Sequence, residues 1–400
     1  MKLLVITPLP PATGPEAAYG LELGRQLAAG GALVDILTQR GARDPGAAGV
    51  SLIPTIRDWT WTDLPRLIGA FRASDADAAV LSYIGWVYGE HPMITFAPSL
   101  WRKGHPGRPF ITLFTNAYGS FPKAMARPLR LGLAAWAGSR SVDRSYGTLL
   151  RDSNTIVALC QRHANILIAR YPPIADRIAV IPPAPLIKVP SRIDEQIRSA
   201  GRKAFGLQAD DILLTYFGFI YSGKGVEFIV EALATLLSPF PRLKLLILGG
   251  VLRSAFVDGS RYEVLVRERA RILGVSRHLI WSGDYQADSE LPILGLAATD
   301  ICALPFDGGA QLNNSSIAAA AAFGLPIVTT ATESTEPCFD HGRNVWLCPP
   351  KDPAALASAV TRLITQESLR RDLAVGARDL AARLFSWPRV VEHLFSLLRP

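Results

Sequence analysis

The chain has 400 residues, 49% of them apolar and 19% charged. That is enough apolar material for two cores and too much for an intrinsically disordered chain. Its formal net charge of +8 lies entirely in the first half: residues 1–190 carry 20 basic and 12 acidic side chains, residues 191–400 carry 22 of each. Cys160, Cys302, Cys338 and Cys348 stand far apart with no C-x-x-C pair, which argues against a zinc ribbon or a disulfide framework and for a reducing compartment.

In chain order, the opening apolar run is too short for a signal-peptide core and is broken by Pro8, Pro10 and Pro11. Strands are predicted at 3–7, 33–37, 79–83, 110–114, 155–159 and 177–181, with helices between them, for example 17–29 and 161–170. Continuous Val/Ile/Leu runs alternating with helix-period stretches predict a doubly wound parallel sheet. Between 101 and 170 eleven basic residues face only Asp143 and Asp152. Phe121, Met125, Leu129, Leu133 and Trp136 interleave with those cations, a pattern suited to an anionic membrane surface, with a plain solvated face as the alternative.

The run Pro182-Pro183-Ala184-Pro185 is the best linker candidate, since proline fixes φ and disfavours helix before it. The rhythm then restarts, with strands at 212–217, 243–248, 279–282, 301–304 and 327–329 and helices at 226–236, 262–273, 315–323 and 354–364. Residues 367–398 read as helices interrupted near Pro388. The expected domains are 1–185, 186–378 and a terminal helix over 379–400. No run of about 18 apolar residues occurs, so no membrane span is expected. The expectation is a cytoplasmic protein, with peripheral membrane contact through residues 101–170 and no nucleic-acid partner.

Two segments carry chemistry. Gly218-Phe-Ile-Tyr-Ser-Gly223-Lys224-Gly225 nearly matches the phosphate-loop pattern G-x4-G-K-[ST]. Gly225 stands where a hydroxyl would hold magnesium, which argues against a nucleoside triphosphatase. A glycine-rich turn before a helix still offers backbone N–H groups, and Lys224 adds a point charge, so the loop suits a diphosphate. The second segment, Pro305 to Ser316, leads into the alanine-rich stretch 317–322 and ends at Gly324. Asn314 or Ser315 is a natural N-cap there. His91, His105, His163, His278, His341 and His393 show no metal-ligand spacing, and no metal site is expected.

These pieces together resemble the retaining glycosyltransferases of family four. The resemblance rests on Phe217 to Gly225, Leu304-Pro-Phe306, Ala320-Ala-Ala-Phe-Gly324-Leu-Pro-Ile-Val328, Gly342 to Asp352 and Phe385-Ser-Trp387. It implies the GT-B fold: two Rossmann-like domains facing a cleft, with a terminal helix crossing back to the first domain. Four positions depart from the family pattern. Gln311 and Ala319 stand where it has Glu-x7-Glu, Phe219 where an arginine is common, and Phe114 where a histidine often closes the strand.

The resemblance implies transfer of a sugar, with retention, from a nucleotide diphosphate sugar to a glycan or lipid-linked acceptor, without metal or other cofactor. Lys224 is the catalytic candidate. Gly223, Gly225, Asn313, Asn314, Ser315 and Ser316 are placed at the donor diphosphate, and Gly283, Asp284 and Tyr285 at the base. Gly14, Tyr88 and Asn116 are placed on the acceptor side. Gln311, Ala319, Phe114 and Phe219 support a second reading, a catalytically silent GT-B module that binds a partner or glycan. A nucleotide-sugar 2-epimerase shares the fold but needs acids and histidines that the sequence does not place.

Overall fold

The structure is a computed structural model, and it describes residues 1–11, 15–43, 46–117, 142–143, 145–253, 258–285 and 289–398. The chain divides into two compact units, Met1–Pro182 with Trp387–Pro400, and Pro183–Ser386. No helix among the described residues is long and apolar enough to cross a membrane.

The first unit holds a seven-stranded parallel sheet built from β1 (Lys2–Ile6), β2 (Leu33–Gln39), β3 (Val50–Ile56), β4 (Ala78–Tyr83), β5 (Phe110–Phe114), β6 (Thr155–Ala158) and β7 (Ile178–Val180), in the order β3-β2-β1-β4-β5-β6-β7. β4 and β5 are buried along their whole length, as central parallel strands covered on both faces must be. Helix Pro15–Ala29 follows β1. The final helix, Trp387–Leu398, also belongs to this unit: its Trp387 ring lies 5.5 Å from the Tyr19 ring.

The second unit holds β8 (Ile212–Phe217), β9 (Leu243–Leu248), β10 (Leu279–Trp281), β11 (Ile301–Leu304), β12 (Ile327–Thr330) and β13 (Trp346–Cys348), in the order β10-β9-β8-β11-β12-β13, again all parallel. Both units are Rossmann-like, as the alternating pattern predicts. The sequence reading missed two strands, β3 and β13, and both are edges. β3 contains Pro54, which breaks a strand pattern but is tolerated at an edge. β13 has only three residues. The break expected near Pro388 falls at Phe385-Ser386, and Pro388 sits in the first turn of the next helix.

Glu16 lies in the first turn of helix Pro15–Ala29, and its Oε2 is buried with no hydrogen-bond partner. Burial pushes its carboxyl up to about 7. A carboxyl whose folded value is raised contributes stability below its unfolded value. That contribution is lost as pH rises from about 4.5 through about 7. At roughly 1.4 kcal/mol per unit the loss is on the order of 3 kcal/mol. Glu16→Gln is therefore expected to raise the apparent melting temperature at pH 8 and to leave it nearly unchanged at pH 5, as read by calorimetry at both pH values.

Candidate functional site

In the second unit the sheet order turns at β8 and β11, which are neighbours while their connections run to opposite sides. In open α/β sheets ligands sit outside the carboxyl ends of the strands at such a switch point. The loops that leave β8 and β11 are 218–225 and 305–314, the two segments singled out in the sequence.

The loops are tied to each other. The Asp307 N–H donates to the Gly223 carbonyl at 3.1 Å. Gly225 has φ of 71°, and a Cβ there would lie 2.0 Å from the Pro305 carbonyl oxygen. Glycine alone combines that backbone conformation with so close an approach. This explains why the phosphate-loop pattern breaks at Gly225: a Ser or Thr would collide with the neighbouring loop. A Cβ on Gly218, where φ is 130°, would fall 2.5 Å from Ser316 Oγ, so the end of β8 lies against the start of helix Ser315–Ala322.

Lys224 is half-buried. Its Nζ lies 4.8 Å from the Tyr221 ring centroid and 4.7 Å from that of Phe306. Two ring faces attract the ammonium without neutralising it. No carboxylate pairs with Lys224 among the described residues; Asp307 pairs with Lys351 instead, at 3.4 Å. Positive charge at the switch point is thus left for a ligand.

The N-terminus of helix Val226–Leu236 is not left open. Gly225, at the N-cap, has no side chain to cap it, and the Val226 N–H donates at 2.9 Å to the hydroxyl of Tyr262, which in turn donates to the Glu227 carboxylate. The sequence reading assigned this helix end to the diphosphate and missed Tyr262, which comes from the following helix, Ser260–Ile272.

At the second loop, Asn314 is the N-cap of helix Ser315–Ala322 but makes no side-chain cap. Its Oδ1 accepts the Gln311 N–H at 2.7 Å, bracing the loop. Glu336, buried in the β12–β13 connection, accepts the Leu312 N–H at 3.0 Å. The buried Gln311 donates from Nε2 to the Gly308 carbonyl at 3.1 Å. Ser316 and Ala319 are buried, Ser315 is exposed, and Asn313 Oδ1 is buried without a partner. Lys224, Gly223, Gly225, Asn313 and Asn314 are thus held on two loops at one switch point, with Ser315 and Ser316 opening the helix that follows the second loop.

The base-side candidates form a brace. Asp284 accepts the Val251 N–H at 3.2 Å and pairs with Arg253 at 3.1 Å, so both carboxylate oxygens already hold the loop after β9. Gly283 turns the chain, and Tyr285 is half-buried, its phenol pushed up to about 12 by burial.

In the first unit, Tyr88 is a core residue. It is 1% exposed, and its hydroxyl donates to the Ser82 carbonyl at 2.7 Å and to the Ile6 carbonyl at 3.3 Å. It joins the ends of β1 and β4 and offers no free group to a ligand. Asn116 is half-exposed just after β5, and Gly14 lies outside the described residues. Phe114 is buried, edge-on to Tyr83 at 5.3 Å and Tyr146 at 5.5 Å. Phe219 is 42% exposed. The run Phe121 to Trp136 also lies outside the described residues. Of the bases around it, Arg102 and Arg151 pair with Asp152, Arg170 pairs with Asp143, and Arg108 donates to the Ala76 carbonyl. These contacts tie four of the cations to protein groups and leave the net charge of the segment unchanged.

Because Gly225 needs the left-handed region, any side chain there costs about 1–2 kcal/mol before the collision with Pro305 is counted. Gly225→Ser, which completes the phosphate-loop pattern, is expected to lower the melting temperature and to weaken binding of nucleoside diphosphates. Calorimetric melting and titration of the variant check both.

Residues 211–366 match the family described as Glycosyl transferases group 1. The chain is 27% identical over 392 residues to a D-inositol 3-phosphate glycosyltransferase of Xylanimonas cellulosilytica, covering 92% of this chain and 87% of that protein. It is also 27% identical over 226 residues to a protein of the same name from Corynebacterium urealyticum, where the match spans 56% of this chain and about half (51%) of the relative. Among solved structures it is similar to Anabaena Alr3699/HepE in complex with UDP and glucose, with a TM-score of 0.68, 16% identity and coverage of 100% and 99% of the two chains. At that identity the likeness establishes the fold, which is GT-B. Residues 211–366 are thus similar to the glycosyl transferases group 1 family.

Proposed function

We propose that the protein is a retaining glycosyltransferase that moves a sugar from a nucleotide diphosphate sugar to a glycan or lipid-linked acceptor in polysaccharide or glycoconjugate biosynthesis. The observation that carries the reading is Lys224: a half-buried ammonium, unpaired by any described carboxylate, at the switch point of the group 1 domain. As the bond from the sugar's anomeric carbon to the diphosphate breaks, negative charge grows on the leaving oxygens. A preorganised cation there lowers the barrier, because it need not reorganise as the charge appears. The acceptor oxygen bonds to the anomeric carbon on the face the diphosphate leaves, and its proton passes to the leaving group. The N-terminus of helix Ser315–Ala322 adds a second, partial charge beside the loop.

Lys224→Ala is expected to cut turnover by about 2–4 kcal/mol in transition-state terms, the scale of a lost oxyanion donor. Steady-state kinetics with the best donor from a panel of nucleotide sugars measures it, and an unchanged kcat/KM refutes the assignment. The curated relatives are named for D-inositol 3-phosphate, so that compound belongs among the acceptors tried.

We also propose that Lys224 and the helix end do the work a metal would do, so activity is expected to survive EDTA. Loss with EDTA and rescue by magnesium or manganese contradicts this. Peripheral contact with an anionic membrane through residues 101–170 is part of the same proposal. It predicts salt-sensitive flotation with anionic liposomes and none with neutral ones, since each cation near such a surface contributes about 1 kcal/mol and is screened by salt.

One observation favours a silent binding module: Gln311 and Ala319 are both buried where the resembled family has glutamates. Donor hydrolysis separates the readings, since a silent module binds donor without slow hydrolysis of it.

A further inference from the structure

The helix that opens at Val226 poses a physical problem. Its N-cap, Gly225, cannot carry a side chain because Pro305 fills that space; the Phe228 N–H donates to the Gly225 carbonyl at 3.1 Å, and the Val226 N–H at the very start has no capping side chain from Gly225. Glu227 sits in the first turn. A carboxylate there is drawn to the positive end of its own helix, and Glu227 stands three residues from Lys224 in the chain.

Tyr262 resolves both difficulties with one oxygen. It is 7% exposed and reaches across from helix Ser260–Ile272. Its hydroxyl accepts the Val226 N–H at 2.9 Å and spends its own proton on the Glu227 carboxylate. Burial, and then the Glu227 carboxylate, hold the phenol well above its ordinary range, so the hydroxyl stays a neutral donor. The Val226 N–H is satisfied without a charge, and the Glu227 carboxylate is held by the same hydroxyl.

We propose that Tyr262 is a positioning residue of the diphosphate loop: it takes the N-terminus of helix Val226–Leu236 for itself, holds Glu227 away from the ligand, and leaves the diphosphate to Lys224 and the second helix end. The inference rests on the nucleotide-sugar reading above. It makes the two helix ends unequal. The helix after β8 is capped internally, and helix Ser315–Ala322 is the one turned to the ligand.

The test uses the full chain and two variants, Tyr262→Phe and the double variant Tyr262→Phe with Glu227→Gln. Phenylalanine keeps the ring packing and removes only the hydroxyl. UDP, GDP and ADP are titrated into the unaltered protein by calorimetry. The tightest of them and its nucleoside are then titrated into both variants, the nucleoside at millimolar concentration by saturation-transfer NMR.

Tyr262→Phe is expected to weaken the nucleoside diphosphate by about tenfold, the scale of one charge-assisted hydrogen bond, and to leave the nucleoside unchanged. The double variant is expected to recover most of the loss, because the misplaced charge is gone. Three results overturn the proposal: an unchanged diphosphate affinity in Tyr262→Phe, an equal weakening of nucleoside and diphosphate, or no recovery in the double variant. A merely structural role lowers the melting temperature of Tyr262→Phe without separating the two ligands. If the unaltered protein binds none of the three nucleotides, the nucleotide-sugar reading fails, and this inference falls with it.

Discussion

The second unit turns on the contact between Gly225 and the Pro305 carbonyl. With 2.0 Å from that oxygen to where a Cβ would stand, and φ of 71°, the chain can pass there only as glycine. Together with the Asp307 N–H on the Gly223 carbonyl, this contact makes one rigid rim from two loops that are about 80 residues apart in the chain. Lys224 owes its place to that rim: Tyr221 comes from one loop and Phe306 from the other, and the ammonium lies over both rings.

That contact has consequences further out. A glycine at the N-cap leaves a helix end with no cap of its own, and Tyr262 supplies one from the next crossover helix. The second loop is braced in a different way. Asn314 turns back on Gln311 rather than forward onto the helix, and Glu336 holds Leu312 from the β12–β13 connection. Each loop is thus fixed by a polar side chain from an element beyond it. The N–H groups of helix Ser315–Ala322 are not consumed by the Asn314 side chain. An internally capped helix end and one free of that side chain give the rim its direction.

The departures from the family pattern read differently once packing is visible. Phe114 lies in an aromatic cluster with Tyr83 and Tyr146, and Ala319 lies in the core of the second unit. Gln311 is a wall of its own loop. These positions serve the fold here. Lys224 and a backbone rim stand at the switch point of this chain.

Local pattern was enough for much of the fold. Buried central strands announce themselves as apolar runs, so β4, β5, β8 and β9 were legible to within a residue, and so were the two loops rich in Gly, Lys, Asn and Ser. The edge strands β3 and β13 were not, because an edge tolerates a proline or a three-residue length that breaks the pattern. The resemblance placed Tyr88 on the acceptor side, yet its hydroxyl is spent on the carbonyls of Ser82 and Ile6. Asp284 likewise braces a loop. The sequence by itself determined which residues are small, which are charged and which alternate, and those properties are local. Only the tertiary structure decided that Pro305 forbids a hydroxyl at 225, that Tyr262 caps a helix 36 residues away, and that Lys224 stays unpaired by the described carboxylates. Those depend on which distant backbone and side-chain atoms come within a few ångströms, and no local pattern carries that distance.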